Sequence, residues 1–240
     1  MNNINIKGKS SDWHPSGDFK VEGIYSKVIN LSCKRRCGLS MQGPYRYSLI
    51  TDENDFQPRS AVVEALPELK MGETIFLDLS KVPDLYNPYL EKTTLNKRWR
   101  NFWNDWTFFL TEEPLNELLP YLEDIAGLIG VGSGFTPSGD DFICGFAAAK
   151  RHAGEYRENF FYEISKALEK TTWLSGSMVY DACRGLIWKR GKDLCKALSE
   201  DSSEEMIKKT GNIINWGHTS GKAWLAGFSL GLECCEVDSY

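Results

Sequence analysis

The chain has 240 residues, 42% of them hydrophobic, and a net charge of −5. That length can bury a full core, as one large domain or two small ones. The acidic balance argues against a nucleic-acid partner held on a basic face, and no apolar run reaches the ~18 residues of a membrane span.

Residues 1–18, MNNINIKGKSSDWHPSGD, lack the apolar core of a signal peptide and read as a flexible arm that includes His14. Residues 19–110 read as a strand-rich domain. VEGIYSKVINLSC and YRYSLIT alternate apolar and polar residues with β-branched and aromatic enrichment, and GETIFLDLS is a further strand. A small antiparallel sheet or barrel is the simplest outcome. In KRWRNFWNDW the period changes: Trp99, Phe102, Trp103 and Trp106 stand at i, i+3, i+4 and i+7, one face of a helix. Such a stripe suits a core or a partner subunit better than a platform for bases.

Residues 111–240 read as a helical domain. Leu115, Leu118, Leu119, Leu122 and Ile125 form one apolar stripe, and Phe160, Ile164 and Leu168 another. Residues 180–188 and 204–214 supply two more helices, and the last runs from about Ser220 to Cys234. The expected fold class is therefore α+β. The seven cysteines are Cys33, Cys37, Cys144, Cys183, Cys195, Cys234 and Cys235. An odd count without a secretion signal implies free thiols and a cytoplasmic setting. Their spacing gives no zinc site, and Cys144 and Cys183 lie in apolar helical patterns that suit a core.

The most informative segment is GVGSGFTPSGDDFICGF, residues 130–146. Its glycines and Thr-Pro-Ser-Gly turn run into an apolar helix. Ser138 fits an N-cap, with Asp141 as the acid of a capping box. Asp140 and Asp141 fall at the positive end of the helix dipole, where an acid gains roughly 0.3–1 kcal/mol. Gly145 inside so apolar a helix signals another backbone close by. A well-capped central helix explains Ser138 and Asp141, but not the clustered Gly130, Gly132 and Gly134, nor the second acid.

GHTSGKAWLAGFSLG, residues 217–231, repeats the pattern. With Ser138-Gly139 set over Ser220-Gly221, Phe142 falls on Trp224, Gly145 on Gly227 and Phe146 on Phe228. TTWLSGSMVYDACRG, residues 171–185, is a weaker copy around Ser175-Gly176, or the interior of a helix that begins near Thr171. Helix N-termini bearing Thr, Ser and Gly can converge on one anion, because each combines free N–H donors with a positive partial charge. There is no βαβ alternation and no GxxxxGK[ST] pattern, so neither a Rossmann turn nor a P-loop is present.

Together the three segments resemble, in order, the motifs of a bacterial family with a GxGLTPSGDD signature, which includes a subunit of the oxamate carbamoyltransferase of anaerobic allantoin breakdown. The likeness runs from about Gly127 to Leu232. It implies a subunit of a carbamoyltransferase-like complex in purine-nitrogen catabolism, with other subunits and a small anionic substrate as partners. Carbamoyl transfer needs donors for phosphate, donors for the charge on the carbonyl oxygen, and a clamp for the acceptor's carboxylate. On that reading Gly132, Gly134, Thr136, Ser138 and Gly139 serve the phosphate. His218, Thr219 and Ser220 polarise the carbonyl, Thr219, Ser220 and Gly221 also bind the substrate or its phosphate, and Lys222 or Arg184 meets a carboxylate. His218 is the base, with Ser138 and Asp141 as further catalytic candidates. His152, near a helix end, suits a C-terminal cap. Adjacent acids such as Asp140 and Asp141 can also hold Mg²⁺. The alternatives are a non-catalytic assembly subunit and a stand-alone small-anion binder.

Overall fold

The computed structural model describes residues 4–13, 16–33, 45–92, 106–155, 158–200 and 203–233. The chain forms two compact units, Met1–Tyr89 and Leu90–Tyr240. Together they make an α+β protein. Among the described residues no helix is long and apolar enough to cross a membrane.

The first unit is a seven-stranded sheet built from β1 (Ile6–Ser10), β2 (Gly17–Ile24), β3 (Val28–Ser32), β4 (Arg46–Ile50), β5 (Ser60–Val63), β6 (Thr74–Leu77) and β7 (Asp84–Tyr86). Its order is β6-β2-β3-β4-β5-β1-β7. The expected antiparallel sheet is corrected to a mixed one, because β4 runs parallel to β5 and β1 parallel to β7. Residues 51–59, with a 3-10 turn at Glu53–Asp55, return the chain to the end of the sheet where β4 began. The expected arm over residues 1–18 is corrected as well. It contains β1, which pairs with β5 and β7 and has Gly8, Lys9 and Ser10 buried. The strand is made by its neighbours, not by an alternating pattern of its own.

On β2, Phe19 and Val21 point inward while Lys20 stays exposed, the period-2 alternation of a half-buried strand. Trp13, Phe19 and Tyr47 pack ring against ring with centroids 5.0–5.4 Å apart. Every residue of β4 is buried, so both faces of the central strands are covered. Arg59 holds a left-handed φ of 52°. Its backbone N–H donates to Asp12 Oδ1 at 2.9 Å and its Nε to the Arg46 carbonyl at 3.0 Å.

The second unit is helical: α1 (Ser138–Ala153), α2 (Glu158–Ala167), α3 (Trp173–Cys183), α4 (Lys189–Ser199), α5 (Ser203–Ile214) and α6 (Ser220–Glu233). Helix α1 is buried from Ser138 to Ala149, as its apolar sequence demands. It packs against α6 through the two aligned glycines. A Cβ at Gly145 would lie 1.9 Å from the Trp224 carbonyl oxygen, and a Cβ at Gly227 would lie 1.9 Å from that of Phe142. The two helices thus exchange equivalent contacts. Helix α1 ends at Gly154, φ 76°, whose N–H returns to Arg151.

The stripe expected over residues 115–125 is not an α-helix but the 3-10 segments Leu115–Tyr121 and Ile125–Leu128. Pro120 has no N–H to give and its ring crowds the preceding turn. With a period near three, Leu115 and Leu118 are buried while Leu119 is 45% exposed. The helix expected over residues 180–188 is broken by Gly185 at φ 78°, between α3 and α4. Trp99, Phe102 and Trp103 lie outside the described residues; Trp106 opens the 3-10 segment Trp106–Thr111.

Candidate functional site

The glycine loop of residues 130–137 turns on three left-handed glycines, Gly130 (φ 78°), Gly132 (φ 112°) and Gly134 (φ 94°). Gly130 is also fixed by a close approach, since a Cβ there would sit 2.4 Å from the Lys170 carbonyl oxygen. The loop folds back on the helix it feeds, with the Gly130 N–H donating to Asp140 Oδ1 at 2.9 Å.

Asp140 joins the first motif to the second. Its Oδ2 accepts from Ser175 Oγ at 2.7 Å and from Thr171 Oγ1. Thr172 caps α3, accepting the Ser175 N–H at 3.1 Å, and its own hydroxyl donates to the Phe135 carbonyl at 2.7 Å. Ser175 and Gly176 are therefore helix interior, the second of the two readings the sequence left open. Burial pushes the Asp140 carboxyl up from its ordinary range, opposed by the donors from Thr171, Ser175 and Gly130.

Asp141 joins the first motif to the third. Burial raises its pKa from 3.8 to about 7, opposed by a hydrogen bond with Ser220 and reinforced by the charge of Asp140. Its Oδ2 is buried and has no hydrogen-bond partner among the described residues.

Ser138 is not the N-cap. That place is taken by Pro137, and Ser138 is the first helical residue, with its hydroxyl donating to Thr219 Oγ1 at 3.3 Å. The capping box does not form because both acids are directed at hydroxyls of other segments. The backbone N–H groups of the first turn are engaged inside the chain. Gly139 donates to Val131 at 2.9 Å, and Asp140 and Asp141 donate to the Pro137 carbonyl at 3.0 and 3.3 Å. At α6 the pattern repeats, with the Gly221 N–H donating to the Trp216 carbonyl at 3.1 Å. Gly139 and Gly221 are packing glycines. Cβ atoms there would lie 2.1 Å from the Leu128 carbonyl oxygen and 1.8 Å from that of Ile213.

Side chains of Ser138 and Asp141 are thus linked to Thr219 and Ser220 at α6, and Asp140 to Thr171 and Ser175 at α3, across the N-termini of the three helices. Around them Gly132 and Thr136 are half-buried, and Gly134 and Phe135 are exposed. His218 is exposed in the turn before α6. Lys222 forms an ion pair with Glu112 at 3.2 Å and lies over the Phe109 ring, and Arg184 lies over the Tyr180 ring. His152 is buried, and burial lowers its pKa to about 4, with the Glu91 backbone acting the other way. Among the described residues no group of three or more His, Cys, Asp and Glu side chains could hold a metal ion. Sequence reasoning nominated neither Thr171, Thr172 nor Ser175 as site residues. Their signal was present, because a capping box accounts for Asp141 and leaves Asp140 without a hydroxyl donor in its own motif.

These features define an α+β protein whose helical unit gathers three polar motifs around two buried carboxylates. Residues 128–232 match the family model described as oxamate carbamoyltransferase subunit AllH. The match supports membership of that family, as the three motifs imply. No curated protein and no solved structure matches the chain.

Proposed function

We propose that the chain is a subunit of an oxamate carbamoyltransferase-type complex and that its ligand site lies where the N-termini of α1, α3 and α6 meet. The observation that carries this reading is the convergence of all three family motifs on the Asp140–Asp141 pair. A helix that needed only a cap would use one acid, and it would use it on its own N–H groups. Here both acids tie separate segments together and leave the hydroxyls of Thr219 and Ser220 half-buried beside the exposed Gly217.

In this role the loop of residues 132–136 faces the ligand's anionic group. The hydroxyls of Ser138, Thr219 and Ser220 orient the remainder, and partner subunits complete the reaction. The engaged N–H groups of the first turn of α1 argue that hydroxyls contribute more than a backbone cradle does. The complex works in a reducing cytosol, where Cys144, Cys183 and Cys195 remain buried thiols.

The test is to purify the complex through a tag on this chain and to follow phosphate release from carbamoyl phosphate. Release that depends on added oxamate supports the reading. A chain that emerges alone, and whose co-expressed partner subunits transfer the carbamoyl group without it, refutes it.

A further inference from the structure

The two acids are not equivalent. Asp140 takes three donors, two hydroxyls and an N–H. Asp141 takes the Ser220 hydroxyl alone, and its Oδ2 is a buried acceptor without a donor among the described residues. An acceptor left unpaired there keeps the full cost of its desolvation, so a native structure that keeps one invites a donor from outside the chain.

The surroundings decide what kind of donor fits. A hydroxyl has one proton and two lone pairs, so Ser220, while donating to Asp141, can still accept. Ser220 is half-buried and Asp141 is buried, which makes the hydroxyl the more accessible member of the pair. The neighbouring Ser138–Thr219 bond, at 3.3 Å, is long for an O–H···O contact and leaves both hydroxyls capacity for another partner. Lys222 is held by Glu112, and the N–H groups of Gly139, Asp140 and Asp141 are spent within the chain. Above pH 7, where Asp141 is ionised, a further anionic oxygen against it would meet like charge, whereas an N–H would be attracted.

We propose that the N-terminal ends of α1 and α6 hold the amide N–H₂ end of the ligand, with Ser220 Oγ as the first acceptor and Asp141 Oδ2 as the acceptor behind it. The subunit thereby selects an amide over a carboxylate at that end. The proposal rests on the reading of the site given above and adds to it the orientation of the ligand. The carboxylate end of an oxamate-like molecule faces the glycine loop, and its amide faces Ser220.

The experiment compares oxamate with oxalate, in which a carboxylate replaces the amide, by thermal shift on the purified full-length chain at pH 8, where Asp141 is ionised. Variants Ser220→Ala, Ser220→Thr and Asp141→Asn are measured beside wild type. The wild-type chain is expected to reach a given shift with oxamate at about one tenth of the oxalate concentration or less, since one lost hydrogen bond beside a like charge is worth at least that ratio. Ser220→Ala and Asp141→Asn remove the preference, and Ser220→Thr, which keeps the hydroxyl, restores it. Equal responses of the wild-type chain to both ligands, or a preference that survives Ser220→Ala and Asp141→Asn, overturn the orientation alone. A wild-type chain that responds to neither ligand overturns both the orientation and the ligand site.

Discussion

Replacing Asp141 by Asn tests whether a buried carboxylate governs the stability of the helical unit. In the fold its pKa stands at about 7 against an ordinary 3.8, because burial disfavours the charged form. The folded state therefore binds this proton more tightly than the unfolded state does. Its contribution is fully present below pH 3.8, is lost as pH rises towards 7, and is flat above that. The displacement is about three units, and at about 1.4 kcal/mol per unit it is on the order of 4 kcal/mol. Asn keeps the shape, still accepts from the Ser220 hydroxyl, and does not ionise. The variant and wild type should be equally stable near pH 4, and the variant should be more stable by on the order of 4 kcal/mol at pH 8. Urea unfolding of both proteins between pH 4 and 8, followed by far-ultraviolet circular dichroism, measures the gap, and titrating groups that do not interact with Asp141 cancel in the difference. A gap constant to within about 1 kcal/mol across that range would refute the reasoning.

Gly145→Ala and Gly227→Ala each place a methyl group 1.9 Å from a carbonyl oxygen of the facing helix, and each should destabilise the protein by about 3 kcal/mol or more in urea melts. Thr171→Val and Ser175→Ala each remove a hydroxyl from the buried Asp140 carboxylate. Losses of about 1.5–3 kcal/mol apiece are expected at pH 8, shrinking towards pH 4 as the carboxyl takes a proton. His152 has the opposite sign to Asp141. Its pKa falls from 6.5 to about 4 in the fold, so its contribution is present above 6.5 and lost as pH drops to 4. That amounts to on the order of 3 kcal/mol, and His152→Gln should abolish this part of the acid-side slope in the same melts.

The helical unit was the more legible half, because its close contacts are written in glycine spacing. Gly145 and Gly227 could be aligned from sequence alone, and each proves to carry the other helix's carbonyl. The family match over residues 128–232 likewise follows motifs visible in the sequence. What could not be read was the destination of the acids. Asp141 three residues after Ser138 has the spacing of a capping box, but Thr171, Ser175 and Ser220 are stronger claims on the two carboxylates, and they arrive only through the fold. The 3-10 segment over Leu115–Tyr121 was misread as an α-helix because the leucine pattern was given more weight than Pro120. In the sheet, β2, β3, β4 and β6 were legible from their residue pattern, whereas β1, β5 and β7 were not. The parallel pairing of β4 with β5 was not, because it depends on where a nine-residue connection returns.

The central claim, that the site lies where the N-termini of α1, α3 and α6 meet, is tested most directly in the assembled complex. Carbamoyl transfer to oxamate would be measured with Ser138→Ala and Ser220→Ala in this chain, with assembly checked by size-exclusion chromatography. The account predicts intact complexes whose kcat/KM falls by about a hundredfold, the loss expected when groups that orient the reacting end are removed. Intact complexes that transfer the carbamoyl group at the wild-type rate with both variants would contradict it and leave this chain a scaffold for chemistry done elsewhere.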